Sequence, residues 1–286
     1  MAKIPKLQSK TNDLIGGDGN DCVEPFRDYL GMSGIGDQCK RNIWLNFRWA
    51  TKNIFPERVI RIFNRGDIEE ARVIKTLKNK GISCFRVDDE GNEIEIFGHL
   101  DEPQEEFVDQ TGHAKGHPDG RARGFPEAPK TVHLLEIKTM NNKYFNLFKN
   151  KGIEKSHPKY FSQVQRYMPE AGLDRAMIIA TNKDNEERWS ERVKLDKTYS
   201  GELKRIELEL IISEKPPALE FSPTWFSCKF CDNHPICHDK EPPLKTCRSC
   251  EHVELFNGGI FKCTKHEKEL DKQDQLEACG QYKRGF

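Results

Sequence analysis

Nowhere in its 286 residues does this chain carry an apolar run close to the roughly 20 residues a membrane-spanning helix needs. Its opening, MAKIPKLQSKTNDLIGGDGND, lacks the apolar stretch of a secretory signal. Together these absences lead us to expect a cytoplasmic protein with no membrane partner. A net charge is missing too: 46 Lys and Arg balance 46 Asp and Glu, so bulk charge selects no partner class. No internal repeat stands out, and no helix-turn-helix or RNA-recognition signature, which argues against sequence-specific readout of a nucleic acid. Strands and helices do not alternate as regular βαβ units, so a mixed-sheet α/β core is expected instead of a parallel doubly wound one.

Cysteine, by contrast, is plentiful. There are ten, and seven of them lie beyond residue 227. In a reducing compartment such clustering argues for metal ligation over disulfides. Charge is also unevenly placed. Asp88 to Asp109 holds ten acids and no Lys or Arg, whereas Lys138 to Met168 holds seven Lys and Arg against Glu154 alone. The second run hints at a surface facing a polyanion.

Helical spacing of Ile43, Phe47 and Ala50 predicts a helix within residues 37–51. In RGDIEEARVIKTLKNKG (65–81), Ile68, Ala71, Ile74 and Leu77 share one face and Gly81 supplies the stop. Residues 83–102 read as a hairpin around Asp-Glu-Gly-Asn. Residues 113–123 and 131–140 read as two further strands, 159–172 as a helix, RAMIIATN and WSERVKLD as a strand pair, and SGELKRIELELIISE as a helix. The Pro-rich stretch KPPALEFSP (215–223) then acts as a linker. The organisation expected is an arm (1–30), a core (31–222), a cysteine segment (223–240) and a small zinc-ribbon-like module (241–286).

The stretch GHPDGRARGFPEAPKTVHLLEIKTMNN (116–142) carries the chemistry. Glu136 and Lys138 flank Ile137 on a strand, and a side-chain period of two puts both on one face. Ile137 then points into the packing, with its carbonyl left at the strand edge. Asp119, at the end of the preceding strand, can approach Glu136 across the pair. Two carboxylates and a carbonyl make a hard oxygen site suited to magnesium or manganese. Such a site serves phosphodiester hydrolysis, with Lys138 orienting or deprotonating a water or stabilising charge on the phosphate.

PDG followed by LLEIKT resembles the PD-(D/E)XK nuclease superfamily, where the matching residues form the metal site. SQVQRYM sets Gln163 and Tyr167 at the Q-x-x-x-Y spacing that follows the active site in RecB-type nucleases, and RGDIEEA supplies Gly66 and Glu70 at a G-x-x-x-E spacing similar to the family's helix acid. On a helix, positions four apart share a face, so Gln163 and Tyr167 are expected to address one bound strand. Glu69, adjacent to Glu70, leaves the choice of helix acid open. The resemblance spans roughly residues 35–240. It implies a metal-dependent deoxyribonuclease, most simply an exonuclease on linear DNA in recombination, repair or end processing. A phage or mobile-element origin would suit such a stand-alone nuclease, placing it in the host cytoplasm. The implied partners are DNA ends, single-stranded or duplex, and a helicase or single-strand annealing protein.

CKFCDNHPIC gives Cys228, Cys231 and Cys237, one thiolate short of a four-ligand soft site. The fourth ligand is either local, His234 or His238 in a zinc site, or remote, Cys39. AddB-like and CRISPR adaptation nucleases pair an N-terminal Cys with C-x2-C-x5-C around a [4Fe–4S] cluster. The resemblance thus implies such a cluster on Cys39, Cys228, Cys231 and Cys237, closing the chain's ends together, with zinc as the alternative. Beyond it, Cys247, Cys250, Cys263 and Cys279 make a four-thiolate zinc site, with His266 a rival for the last position. Cys22 and Cys84 lack clear partners. Between the strand and the Gln163 helix, Tyr144, Phe145, Phe148, Tyr160 and Phe161 interleave with lysines, a pattern for stacking unpaired bases and tracking phosphates. Two rival readings stand: a non-catalytic zinc-dependent nucleic-acid or protein-binding module, and an iron–sulfur redox protein.

Overall fold

Continuous apolar runs, in place of alternating ones, mark strands buried on both faces, and HLLEIKTM and RAMIIATN are the two such runs at the centre of this fold. A computed structural model describes residues 21–23 (backbone only), 25–52 and 54–286. Most of the expected N-terminal arm, residues 1–20, and the Cys22 side chain lie outside the described residues. The chain runs through β1 (Asp21–Val23), β2 (Leu30–Gly31), α1 (Lys40–Phe47), β3 (Ile54–Pro56) and the long α2 (Glu57–Asn79). Next come the hairpin β4 (Ser83–Val87) and β5 (Glu93–Glu95), then β6 (Phe107–Val108), β7 (Ala114–Gly116), β8 (Arg121–Arg123) and β9 (His133–Met140). Helices α3 (Asn142–Ser156) and α4 (Pro158–Glu170) lead to β10 (Arg175–Asn182), β11 (Arg188–Lys194) and α5 (Lys197–Ile212).

The central sheet has the order β11-β10-β9-β8-β4-β5. Only β9 and β10 run parallel, in register Glu136↔Ile178, and their neighbours are antiparallel. The sheet is therefore mixed, as the irregular alternation of elements predicts. Alternation along the central strands feeds two cores. Leu135, Ile137, Met177 and Ile179 pack under Val73, Ile74 and Leu77 of α2. Leu134, Ala176, Ile178 and Ala180 face the other way, into Phe145, Phe148, Val164 and Met168 of α3 and α4. Helices thus cover both faces.

Three expectations need correction. Residues 113–123 are not one strand: β7 joins a separate small sheet, β2-β7-β6, while β8 joins the central one. The break is chemical. Pro118 offers no N–H, and Gly120 adopts φ +128°, so the chain turns between the sheets at Asp119. Ile68 is 49 % exposed and lines a cleft instead of the core, in a helix α2 that begins eight residues earlier than expected. Residues 142–156 form a helix, capped by the Asn141 side chain, where no helix is expected. Gly152 kinks it at φ 74°, and its Phe145 and Phe148 are core, not free for stacking.

Beyond α5 the cysteine segment carries the short helix α6 (His234–His238). The last residues form a three-stranded sheet, β12 (Val253–Phe256), β13 (Ile260–Cys263) and β14 (Lys268–Leu270), followed by α7 (Lys272–Leu276). This module shares the main core. Phe261 is buried against Phe47 and His113, and the Arg248 guanidinium lies between the Trp49 and Phe261 rings at 4.0 and 3.9 Å. No helix of the described residues is long and apolar enough to cross a membrane.

Candidate active site

Glu136 sits mid-strand in β9 with 0 % exposure, which is costly for a carboxylate without partners. The Lys138 ammonium lies against Glu136 Oε1 as an ion pair, the same-face placement that the two-residue period requires. Neither Glu136 oxygen meets any donor with hydrogen-bond geometry, so both remain polar atoms without a settled partner. Asp119 reaches this strand from the Pro118–Gly120 bend: the Ile137 amide donates to its Oδ2 at 2.5 Å. N–H and C=O of one extended residue point to the same side, so the Ile137 carbonyl lies on the edge that Asp119 approaches.

The fourth group comes from α2. Glu70 lines a cleft of about 650 Å³ together with Asp119, Asp67 and Gln104. Gln104 Nε2 donates to Glu70 Oε1 at 3.4 Å. Glu69, its neighbour in sequence, is turned away and tied down: Thr181 Oγ1 and Arg188 donate to its Oε1 at 2.9 and 2.8 Å, and Arg72 to its Oε2 at 2.6 Å. The helix thus presents Glu70 to the cleft and spends Glu69 on anchoring α2 to β10 and β11.

Electrostatics register this convergence. Burial, then Asp119 and Glu136, raises the Glu70 carboxyl to about 8. Burial also raises Glu136 to about 7, with Lys138 opposing it and Asp119 adding to it. Asp119 is raised by burial against the pull of Lys138 and the Ile137 amide, with Asp67 adding repulsion. Burial alone would lower the Lys138 ammonium, but Glu136 and Asp119 hold it above its ordinary value. Three acids whose charges are disfavoured together, beside a lysine that stays charged, describe a site short of positive charge.

Gln163 and Tyr167 do project from one face of α4, yet both are buried. Gln163 lies near Glu136 and favours its ionised form. The Tyr167 phenol oxygen accepts from the His117 amide, and its ring occupies the space a side chain at Gly116 would need, 2.5 Å from a Cβ there. These residues brace the carboxylates and the bend that carries Asp119. His117 is engaged by Glu106 at 3.2 Å, and His113 by the Phe256 carbonyl at 2.9 Å.

Asp67 and Gln104 were not singled out from sequence. Asp67 had a signal, since it precedes Glu70 by three residues on the same helix. Gln104 had none: it sits in the loop between β5 and β6, and only tertiary structure carries it to Glu70.

The cysteines of the two predicted groups are all free thiols. Cys39 caps α1, its sulfur accepting from the Asn42 amide at 3.4 Å, and lies within electrostatic reach of Cys228, Cys231 and Cys237. Cys231 Sγ donates to Asn42 Oδ1 at 3.1 Å, and Asn233 bridges to Asn42 and Asn46 at 2.9 and 2.7 Å. His234 faces Asp239 instead, at 3.3 Å. In the last module Cys247, Cys250, Cys263, His266 and Cys279 line one cavity of about 190 Å³, with Cys279 Sγ 3.5 Å from His266 Nε2. Among the described residues, no group of three or more His, Cys, Asp or Glu side chains is placed to hold a metal ion.

No protein-family model matches the chain, and no curated protein does. Solved structures similar to it include an alkaline exonuclease, LHK-Exo, from Laribacter hongkongensis, with 15% identity, 64% of this chain and 86% of that chain covered, and a TM-score of 0.43. The same protein in complex with dAMP matches at 14% identity over the same shares with a TM-score of 0.43. The structure of SSO0001 is similar at 16% identity over 77% of this chain and 90% of that one, with a TM-score of 0.38.

Proposed function

We infer that the chain is a divalent-metal-dependent nuclease of the PD-(D/E)XK superfamily, RecB type, acting on ends of linear DNA. The observation that carries this is the mutual electrostatic reach of Glu70, Asp119, Glu136 and Lys138, from a helix, a bend and a strand, with Glu70 and Asp119 lining one cleft. A donor set of carboxylates, with both Glu136 oxygens buried and lacking a well-formed hydrogen bond, fits a hard cation. Glu70, Asp119, Glu136 and the Ile137 carbonyl would hold Mg2+ or Mn2+. When bound, that ion supplies Lewis-acid polarisation of a phosphodiester and of a water.

The chain's own groups do the rest. Lys138, fixed by Glu136 and 5.3 Å from the Tyr160 ring centre, holds positive charge where a scissile phosphate gains negative charge. Gln163 and Tyr167 keep Glu136 and the Asp119 bend in register, and Gln104 orients Glu70. For the cysteines, Cys39, Cys228, Cys231 and Cys237 would hold a [4Fe–4S] cluster or, alternatively, zinc, in a structural role, and Cys247, Cys250, Cys263 and Cys279 zinc. Both are soft sulfur sets that suit such groups.

End-labelled linear DNA incubated with manganese tests the reading. Cleavage by the native chain and its loss by about a thousandfold in Asp119→Asn and Lys138→Ala is expected. Intact substrate with the native chain under all divalent-metal conditions would remove the enzyme reading and leave the binding-module one.

A further inference from the structure

Resting on the nuclease reading, and adding a substrate site to it, we propose that the cysteine segment and α4 form a base-stacking groove that leads single-stranded nucleic acid to Lys138. Tyr160 provides the inner end, its ring centre 5.3 Å from Lys138 Nζ. His157 stacks on Tyr160 at 5.6 Å with planes 9° apart, and Tyr144 meets His157 edge-on at 5.8 Å. Across a groove of about 330 Å³ stands Trp225, stacked on Phe221 at 3.9 Å and 11°. Outside it, Phe226 and Phe230 are 75 % and 76 % exposed and in edge contact with each other.

An apolar protein segment would favour aliphatic walls; this groove is lined by ring faces and lysine. Lys159 lines the groove, half exposed and paired with Asp37 at 3.4 Å, and Lys138 stands at its inner end beside Tyr160. Stacking rings beside cations match unpaired bases on a phosphate chain, whereas a duplex keeps its base faces covered. The groove's walls include Gln38 and Ser227, the residues next to Cys39 and Cys228. A metal group held by Cys39, Cys228, Cys231 and Cys237 would therefore fix the distance between the walls, which gives the segment a role in substrate binding beyond joining chain termini.

The test uses full-length Asp119→Asn protein and fluorescein-labelled oligo-dT or a blunt hairpin duplex, read by anisotropy. Oligo-dT should bind more tightly than the duplex, and Trp225→Ala should weaken oligo-dT binding by about tenfold, the loss of one base–aromatic stack, while leaving duplex binding unchanged. Trp225→Phe should retain the affinity but abolish most of the tryptophan quenching by oligo-dT, because Trp44 and Trp49 are buried and the exposed Trp189, on β11, does not line the groove. Tyr144→Ala, outside the cysteine segment, should weaken oligo-dT binding severalfold and guards against misfolding at Trp225. Equal binding of both substrates, or oligo-dT affinity unmoved in Trp225→Ala and Tyr144→Ala, overturns the groove. Binding without cleavage by native protein would overturn the catalytic reading and leave the groove standing.

Discussion

Glu69 and Glu70 show how much one residue of helical phase decides. Glu69 is buried in a network with Thr181, Arg188 and Arg72, so Glu69→Gln should cost about 1–3 kcal/mol of stability, seen as a lower melting temperature, while the protein that remains folded keeps its turnover. Glu70→Gln should do the reverse, sparing stability and removing metal-dependent cleavage. If Glu69→Gln alone silenced a folded protein, the roles would be exchanged. The raised carboxyls add a pH dependence. In metal-free protein Glu70, at about 8, and Glu136, at about 7, keep protons that an unfolded chain releases near the ordinary glutamate value of 4.5. The folded state then binds more protons than the unfolded one, so stability falls as pH rises from about 4.5 to about 8. Magnesium or manganese needs the ionised forms and should raise the melting temperature more at alkaline than at acidic pH. Melting curves that are flat across this window, with and without metal, would contradict the convergence. Sequence spacing already placed Glu136 and Lys138 on one face, because a strand's period is fixed by its backbone. It left Glu69 and Glu70 open, since both positions follow the same acidic letters and only Arg188 and Thr181, far along the chain, separate them.

At the scale of elements, the bend that carries Asp119 depends on two residues between strands of different sheets. Pro118 and Gly120 divide β7 from β8, and a Cβ at Gly120 would lie 2.9 Å from Ile96 Cδ1 in a backbone conformation that L residues rarely adopt. Gly120→Ala should therefore cost about 1–3 kcal/mol and shift Asp119 from its hydrogen bond with the Ile137 amide, lowering turnover more than substrate affinity. Unchanged turnover in a folded Gly120→Ala protein would show that Asp119 does not depend on the bend. The letters PDG marked this place, but read as one strand they concealed that two sheets meet there. α3 was missed for a related reason. Its aromatics and lysines look like a binding loop, and Gly152 and the following Pro158 look like breakers. Asn141 capping and the burial of Phe145 and Phe148 against β9 and β10 override that local appearance.

Over the whole molecule, the cysteine-rich end is less separate than its composition implies. Composition shifts at the Pro-rich linker, and a stretch of about 45 residues reads as a metal-built appendage. Contacts reverse the emphasis. Arg248, fully buried, donates to the Phe47 and Asp28 carbonyls at 3.0 and 2.7 Å and to Gln275 Oε1 at 2.6 Å, tying the module to α1 and to the residues before β2. The Gly259 amide donates to the Thr111 carbonyl at 2.9 Å, where only glycines allow the backbones of Gly112 and Gly259 to approach. None of these partners is signalled in sequence, because a carbonyl acceptor leaves no letter. Deleting residues 245–286 would strip Arg248 and Phe261 from the core and leave Trp49 and Phe47 facing water. Such a chain should fail to give a cooperative thermal transition, and Arg248→Ala in the full chain should lose about 3 kcal/mol, from the emptied space between two rings and the carbonyls left without a donor. If the proposed sulfur sites hold metal, a chelator should lower stability in the same direction, because Cys247 and Cys250 flank Arg248 in the chain. A truncated chain that melts cooperatively and still cleaves DNA would instead establish an autonomous nuclease core with a dispensable module, and the shared core described here would carry no stability.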